Sequence, residues 1–289
     1  MTSVNTAPVP LPSVGKQLIV FDFDWSLVDQ DTDRWVHEVL CPELRAELQR
    51  RKKGEQFTDL CADLLLKLHA RAAVTPDELR DALRLLPFHP GVKRAISTLK
   101  QTAQPNTTLF LLSNSNTVYI NTILAHHNLE GLFDEIVTNP AHFTPEGALK
   151  LERRIAPSAV QHTCSVGCSA NMCKGDELEA FLERHGGRDA FDRIIYVGDG
   201  GQRLLPRQEA AHERPGVCAQ VPRPPDAYRA RGRRQGRHQV LERRMGTRGL
   251  SQRSAWRPCA RLLEKPPQDA VLIDRLFNVQ SATVLTERT

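Results

Sequence analysis

Two hydrophobic periods alternate along this chain. Gln17 to Phe21 is a nearly unbroken apolar run of strand length, the pattern of a strand buried on both faces. From Arg34 to Leu86 the period changes: Phe57, Leu60, Cys61, Leu64, Leu65 and Leu68 recur at helical spacing. Thr75-Pro76-Asp77-Glu78 is a capping box with proline at the first helical position, so a new helix starts there. Pro87 and Pro90 are read as the end of this helical block. Gly91–Lys100 then reads as a helix, Thr108–Leu112 as a short buried strand and Asn116–His127 as the helix after it. Glu135–Thr138 reads as a strand, Lys174–Arg184 as a helix, and Arg193–Val197 as a final strand ending at Gly198-Asp199-Gly200. Strands alternating with helices predict an α/β fold with a doubly wound parallel sheet. Its core would span residues 16–32 and 87–201, with residues 33–86 inserted as a small helical cap over the sheet's C-terminal edge. There are no internal repeats.

The chemistry gathers at strand ends. Asp22 and Asp24 follow the first apolar run one residue apart, and alternate side chains of an extended segment share a face. Two carboxylates can then enter one site at the C-terminal edge of the sheet, where open α/β folds bind ligands. One could attack an electrophile while the other moves a proton. Taken alone, Asp-x-Asp is equally a solvated acidic turn. Three further polar residues reach the same edge: Ser113 after the second strand, Lys174 at a helix start, and Asp199 in a glycine-rich turn.

In this order the four motifs resemble those of the haloacid dehalogenase-like phosphatases, whose core is a Rossmann-like sheet. The resemblance implies a Mg²⁺-dependent phosphomonoesterase. Asp22 would be the nucleophile, forming an aspartyl-phosphate, and also a metal ligand. Asp24 would be the general acid and then the base, with its backbone carbonyl on the metal. Ser113 would donate to a phosphate oxygen, Lys174 would neutralise charge on Asp22 and the phosphoryl group, and Asp199 would complete the carboxylate ligands. The surroundings look like the phosphoethanolamine/phosphocholine phosphatase group, which includes pyridoxal phosphate phosphatases. They are Phe21-Asp22-Phe23-Asp24 with Val28-Asp29 and Asp33, Phe88-His89-Pro90-Gly91, Ser113-Asn114-Ser115-Asn116-Thr117, Asn171-Met172-Cys173-Lys174-Gly175 and Tyr196-Val197-Gly198-Asp199-Gly200. The expected substrate is a small phosphorylated metabolite. Members of the group usually carry Asp where this chain has Asn114, an acid associated with cationic amine substrates. Asn114 therefore weakens a choline-type reading. Asp29 and Asp33 either face the substrate or are solvated surface acids.

Charge and composition change the picture late in the chain. The 289 residues carry a net charge of +5, but residues 1–201 hold 21 Lys and Arg against 26 Asp and Glu, while residues 202–289 hold 18 against 8. The group continues Gly-Asp-Gly-x-Asn-Asp-Phe-Cys-Pro. Here Gly201 is followed by Gln202-Arg203-Leu204-Leu205-Pro206, with arginine where the second motif acid belongs. Written as CAA CGA CTT CTG CCC, these codons give Asn-Asp-Phe-Cys-Pro once the first base is dropped. The Arg- and Pro-rich stretch 202–289 is thus read as a poorly ordered product of a shifted frame. As written, the chain would lack the acid and the strand expected after it, and the alternative reading is a catalytically impaired relative. A nucleic-acid-binding tail is disfavoured because few aromatics interleave with the arginines.

Seven cysteines, an odd number, suit a reducing compartment, and a cytoplasmic location is expected. Residues 1–15 lack the basic start and apolar core of a secretory signal and are expected to be disordered. No apolar stretch is long enough for a membrane span. His162, Cys164, Cys168 and Cys173 are metal-ligand types, though without a paired C-x-x-C spacing, and a thiol-rich loop without zinc is the plainer reading. Oligomeric state is left open.

Overall fold

A computed structural model describes residues 13–162, 164 and 168–198, together with the backbone of 217–220. Residues 1–12, Asp199 and the rest of the Arg-rich stretch lie outside the described residues.

The strands are β1 (Lys16–Phe21), β2 (Asn106–Asn116), β3 (Glu135–Asn139), β4 (Ala141–Phe143), β5 (Leu149–Leu151), β6 (Arg193–Gly198) and β7 (Val217–Gln220). The helices are α1 (Thr32–Leu40), α2 (Pro42–Arg51), α3 (Phe57–Ala72), α4 (Pro76–Arg84), α5 (Pro90–Gln101), α6 (Thr117–His126) and α7 (Lys174–Arg184). Five strands form one sheet in the order β3-β2-β1-β6-β7, and they pair in parallel throughout. The fold is α/β, Rossmann-like, with helices on both faces.

The central strand explains that layering. Leu18 and Val20 pack on one side, with Phe110, Leu112 and the buried residues of α7. Ile19 and Phe21 pack on the other, with Leu109, Leu111, α6 and the four helices that follow β1. The period-2 alternation of a strand thus feeds two apolar layers at once. Helices α1 to α4 close around Trp35, which is 2% exposed and donates its indole N–H to the Ala82 carbonyl at 2.7 Å. The capping box at Thr75 and Glu78 is formed in both directions and starts α4.

Three features differ from the sequence reading. Pro90 does not end a helical block. It opens α5 at the first helical position, where a missing N–H costs nothing, and the His89 ring Nδ1 accepts the Gly91 N–H as an N-cap. The sheet does not stop at β6. Strand β7 pairs with it in parallel, from Ile195↔Val217 to Gly198↔Gln220. The unpaired backbone groups of an edge recruit an extended partner, and Val-Cys-Ala-Gln is an uncharged run that the surrounding arginines and prolines hide. Strands β4 and β5 form an unforeseen antiparallel hairpin, turned at Gly147 with φ of +93°.

Candidate active site

Strand register brings the motif residues to one edge. Phe21 pairs with Leu111 on one side and with Val197 on the other, so Asp22, Ser113 and Gly198 all lie at the C-terminal ends of adjacent strands. The ladder runs one residue past β1, with the Asp22 N–H donating to the Val197 carbonyl at 2.8 Å. The chain then turns sharply. Trp25 takes a left-handed φ of 59°, and the N–H groups of Leu27 and Val28 both return to the Phe23 carbonyl at 2.9 and 3.0 Å.

Lys174 reaches this edge through α7. Its buried residues Lys174, Leu178, Phe181 and Leu182 recur at helical spacing, so the lysine lies on the inward stripe of an amphipathic helix. Phe181 stacks on Phe110 of β2 with ring centroids 4.3 Å apart, which fixes the helix against the sheet. Lys174 Nζ stands 2.6 Å from Asp22 Oδ2, and the two residues are only 4% and 9% exposed. Asp22 Oδ1 accepts the Phe23 N–H at 2.8 Å, and the Tyr196 hydroxyl lies 3.5 Å from Oδ2. The nucleophile candidate is therefore held at both oxygens.

Asp24 meets different company. Its Oδ1 accepts the N–H of Thr32, the first residue of α1, at 2.9 Å. Burial first, and then the neighbouring acids Asp31 and Asp33, push its carboxyl well above the ordinary range. Among the described residues, the Asp24 carbonyl receives a long 3.4 Å bond from Ser26 Oγ.

The second strand supplies a hydroxyl. Ser113 is buried, and its oxygen accepts the Ser115 N–H at 3.1 Å. Its own O–H is not used in that bond, so it can donate. Ser115 Oγ meets Thr32 Oγ1 at 2.9 Å, which ties the start of α1 to the end of β2. Asn114 is exposed at the edge, and its carbonyl accepts from the Asn139 amide at 2.7 Å.

Asp33 is not a solvated surface acid. It is 7% exposed, and burial first and then Asp31 raise its carboxyl to about 7, while a hydrogen bond from Cys61 lowers it. Asp29 is half-buried, and its N–H donates to the Pro87 carbonyl at 3.0 Å. Asp199 follows β6 in the chain but lies outside the described residues, as does Arg203.

Several supporting residues escaped the sequence reading. Asn171 donates its amide to Asn139 Oδ1 at 2.8 Å and to Thr58 Oγ1 at 3.0 Å, and Asn139 in turn holds the Ser115 carbonyl at 3.0 Å. This network links α3, the end of β2 and the loop before Lys174. Gln56 adds a second link, donating to the Ala170 carbonyl at 2.8 Å. The start of α1 was legible in Asp31-Thr32-Asp33-Arg34, since Asp31 caps the helix by accepting the Arg34 N–H. The asparagine relay carries no sequence signal of its own.

A family model described as Putative Phosphatase matches residues 17–214. The chain belongs to that family. The phosphatase is 31% identical over 196 residues to the Bos taurus pyridoxal phosphate phosphatase PHOSPHO2, covering 66% of this chain and 77% of that relative. It is 32% identical over 193 residues to inorganic pyrophosphatase 2 of Arabidopsis thaliana, covering 65% of each. A solved apo phosphoserine phosphatase is similar over 64% of this chain and 78% of its own, with 20% identity and a TM-score of 0.45. The family match and the curated relatives make the chain a haloacid dehalogenase-like phosphatase, a phosphoric monoester hydrolase. Among its described residues no helix is long and apolar enough to cross a membrane.

Proposed function

We propose that this phosphatase hydrolyses a small phosphate monoester with Mg²⁺ through an aspartyl-phosphate on Asp22. The observation that carries the reading is the buried pair of Asp22 with Lys174, beside an Asp24 whose carboxyl burial and neighbouring acids push well above the ordinary range. A carboxylate oxygen of Asp22 attacks phosphorus, and the bond to the leaving alkoxide breaks. Asp24 delivers the proton that alkoxide needs. Water then attacks the acyl phosphate, Asp24 takes back a proton, and inorganic phosphate departs. Lys174 balances negative charge on Asp22 and the transferring group, and the Ser113 hydroxyl donates to a phosphoryl oxygen.

The donor chemistry fits a hard cation: the Asp22 carboxylate and the weakly used Asp24 carbonyl are both oxygen donors, and Asp199 would add a third. When bound, Mg²⁺ would offset the repulsion between a carboxylate nucleophile and an anionic ester.

The relatives named above differ in the substrates their names give, pyridoxal phosphate and inorganic pyrophosphate. Asn114 carries no charge at the edge, which favours a substrate without a cationic amine; Asp29 and Asp33 are the nearby acids we assign to shaping its pocket. A cytoplasmic location fits such a metabolite.

A second reading follows from Arg203. A cation in place of an acid would oppose the metal and give an impaired enzyme. Sequencing the transcript across the codons for Tyr196 to Pro206 separates the two: one surplus base restores Asn-Asp-Phe-Cys-Pro. For the chemistry, p-nitrophenyl phosphate turnover with and without Mg²⁺ is the direct assay. Asp22→Asn should lose about 10³-fold or more, and the unaltered chain should form a hydroxylamine-sensitive phosphoenzyme. Unchanged turnover in Asp22→Asn overturns the mechanism.

A further inference from the structure

The loop before α7 carries a second cluster that the phosphatase chemistry does not use. We propose that His162, Cys164, Cys168 and Cys173 hold a structural Zn²⁺ ion at the foot of α7.

The ligand atoms of His162, Cys164 and Cys173 all lie within 4.8 Å of one another. Cys168 Sγ is not part of that mutually close set, but it lies beside two of its members, 3.4 Å from Cys164 Sγ and 3.9 Å from Cys173 Sγ, and is placed to be the fourth ligand. Four ligands around tetrahedral zinc, with Zn–S bonds of about 2.3 Å, stand about 3.8 Å apart along each edge. Two of the sulfur–sulfur separations already have that spacing.

The histidine is set up for the same purpose. One ring nitrogen, Nε2, lies 2.8 Å from the Ser169 carbonyl. That leaves Nδ1, which is buried and without a hydrogen-bond partner among the described residues. A ligating histidine characteristically gives its other N–H to a backbone carbonyl, which fixes the tautomer and aims the lone pair. A buried nitrogen with no partner is costly unless something accepts its lone pair, and a metal does.

The donor set also selects the ion. Three thiolates and an imidazole are soft ligands that favour zinc, whereas the all-oxygen set at Asp22 and Asp24 favours magnesium. Four protein ligands close the coordination shell, so the ion is structural and the phosphatase chemistry stays at Asp22. Binding would release the thiol protons to solvent.

Position gives the site its consequence. Cys173 is the N-cap of α7 yet makes no side-chain capping bond, and the next residue is Lys174. A metal on Cys173 would anchor the helix end that presents Lys174 to Asp22. The same loop carries Asn171, the hub of the asparagine network. Zinc would thus hold the loop from one end and the amide relay from the other.

The test uses the full chain, purified under reducing conditions without chelators. Metal analysis should find about one zinc per chain, in Asp22→Asn as well as in the unaltered protein, which separates this ion from any metal at the carboxylates. The Cys164→Ser/Cys168→Ser variant should lose it. Should that variant fail to fold, titration of stripped, unaltered protein with Co²⁺ should give thiolate-to-cobalt charge-transfer absorption that added Zn²⁺ abolishes. Three results overturn the proposal: a reduced protein that takes up no zinc and gives no such absorption, zinc retained in full by a folded Cys164→Ser/Cys168→Ser variant, or a Cys164–Cys168 disulfide recovered as the resting state.

Discussion

Asp22 and Asp24 are one residue apart, yet their surroundings are opposite in kind. Asp22 faces the Lys174 ammonium at 2.6 Å and a backbone N–H. Asp24 is half-buried near Asp31 and Asp33, and the hydrogen bond from the Thr32 N–H does not offset that company. The strand end brings both acids to the edge, but packed partners give them opposite surroundings. α7 supplies a cation to one, while the start of α1 crowds further acids around the other. Division of labour between two like residues is therefore written in the helices around them.

Lys174→Met breaks the comparison most severely. It leaves a carboxylate that is 9% exposed without its cation, and losing one partner of a buried pair costs about 3–5 kcal/mol. Urea unfolding in Mg²⁺-free buffer should show that loss, and turnover should fall about 10²–10³-fold. Asp22→Asn/Lys174→Met should be more stable than Lys174→Met alone. A double variant no better than the single one would mean that the pair does not carry the stability.

The central strands and the places of Asp22, Asp24 and Ser113 at their ends could be read from the sequence because each is local; Asp199 lies outside the described residues. An apolar run ends in a polar residue, and parallel neighbours bring those ends together. Lys174 was legible for the same reason, as the first residue of an α7 whose apolar stripe is periodic. Other parts depend on contacts between distant segments. No local pattern shows that Asn171 reaches Asn139 and Thr58, or that Asp33 on α1 is sealed beneath Cys61 of α3. Strand β7 was missed because its four residues sit in an arginine-rich context, and only the free edge of β6 gives them a partner.

Asp33→Asn sharpens the acidic side of the comparison. Asp33 titrates near 7 in the folded chain and near the ordinary 3.8 when unfolded. Below about pH 4 both states hold the proton. As pH rises from about 4 to about 7, the unfolded chain releases it while the folded chain keeps it, so stability falls; above 7 the loss is complete. A rise of about three units sets a ceiling of about 4 kcal/mol. Asn cannot ionise, so Asp33→Asn should stabilise the protein by about 1–3 kcal/mol at pH 8 and have little effect at about pH 3. Thermal unfolding at both pH values checks this. An equal gain at both would show that shape, not charge, is responsible.

The smallest effect belongs to Gly198, on the cationic side of the comparison. A Cβ there would lie 2.5 Å from Cε1 and from the hydroxyl of Tyr196, far inside contact distance. The tyrosine is 7% exposed, so its ring has little room to yield. Gly198→Ala should therefore cost about 1–2 kcal/mol and push the Tyr196 hydroxyl off Asp22. That hydroxyl is 3.5 Å away, a weak bond, so Tyr196→Phe alone should change turnover by less than about threefold. If the clash is the cause, Gly198→Ala should become harmless once Tyr196→Leu has removed the ring tip, and the two substitutions should be strongly non-additive in unfolding free energy. Additive costs would place the need for glycine in the backbone of β6 itself, and Asp22 would then rely on Lys174 and the Phe23 N–H alone.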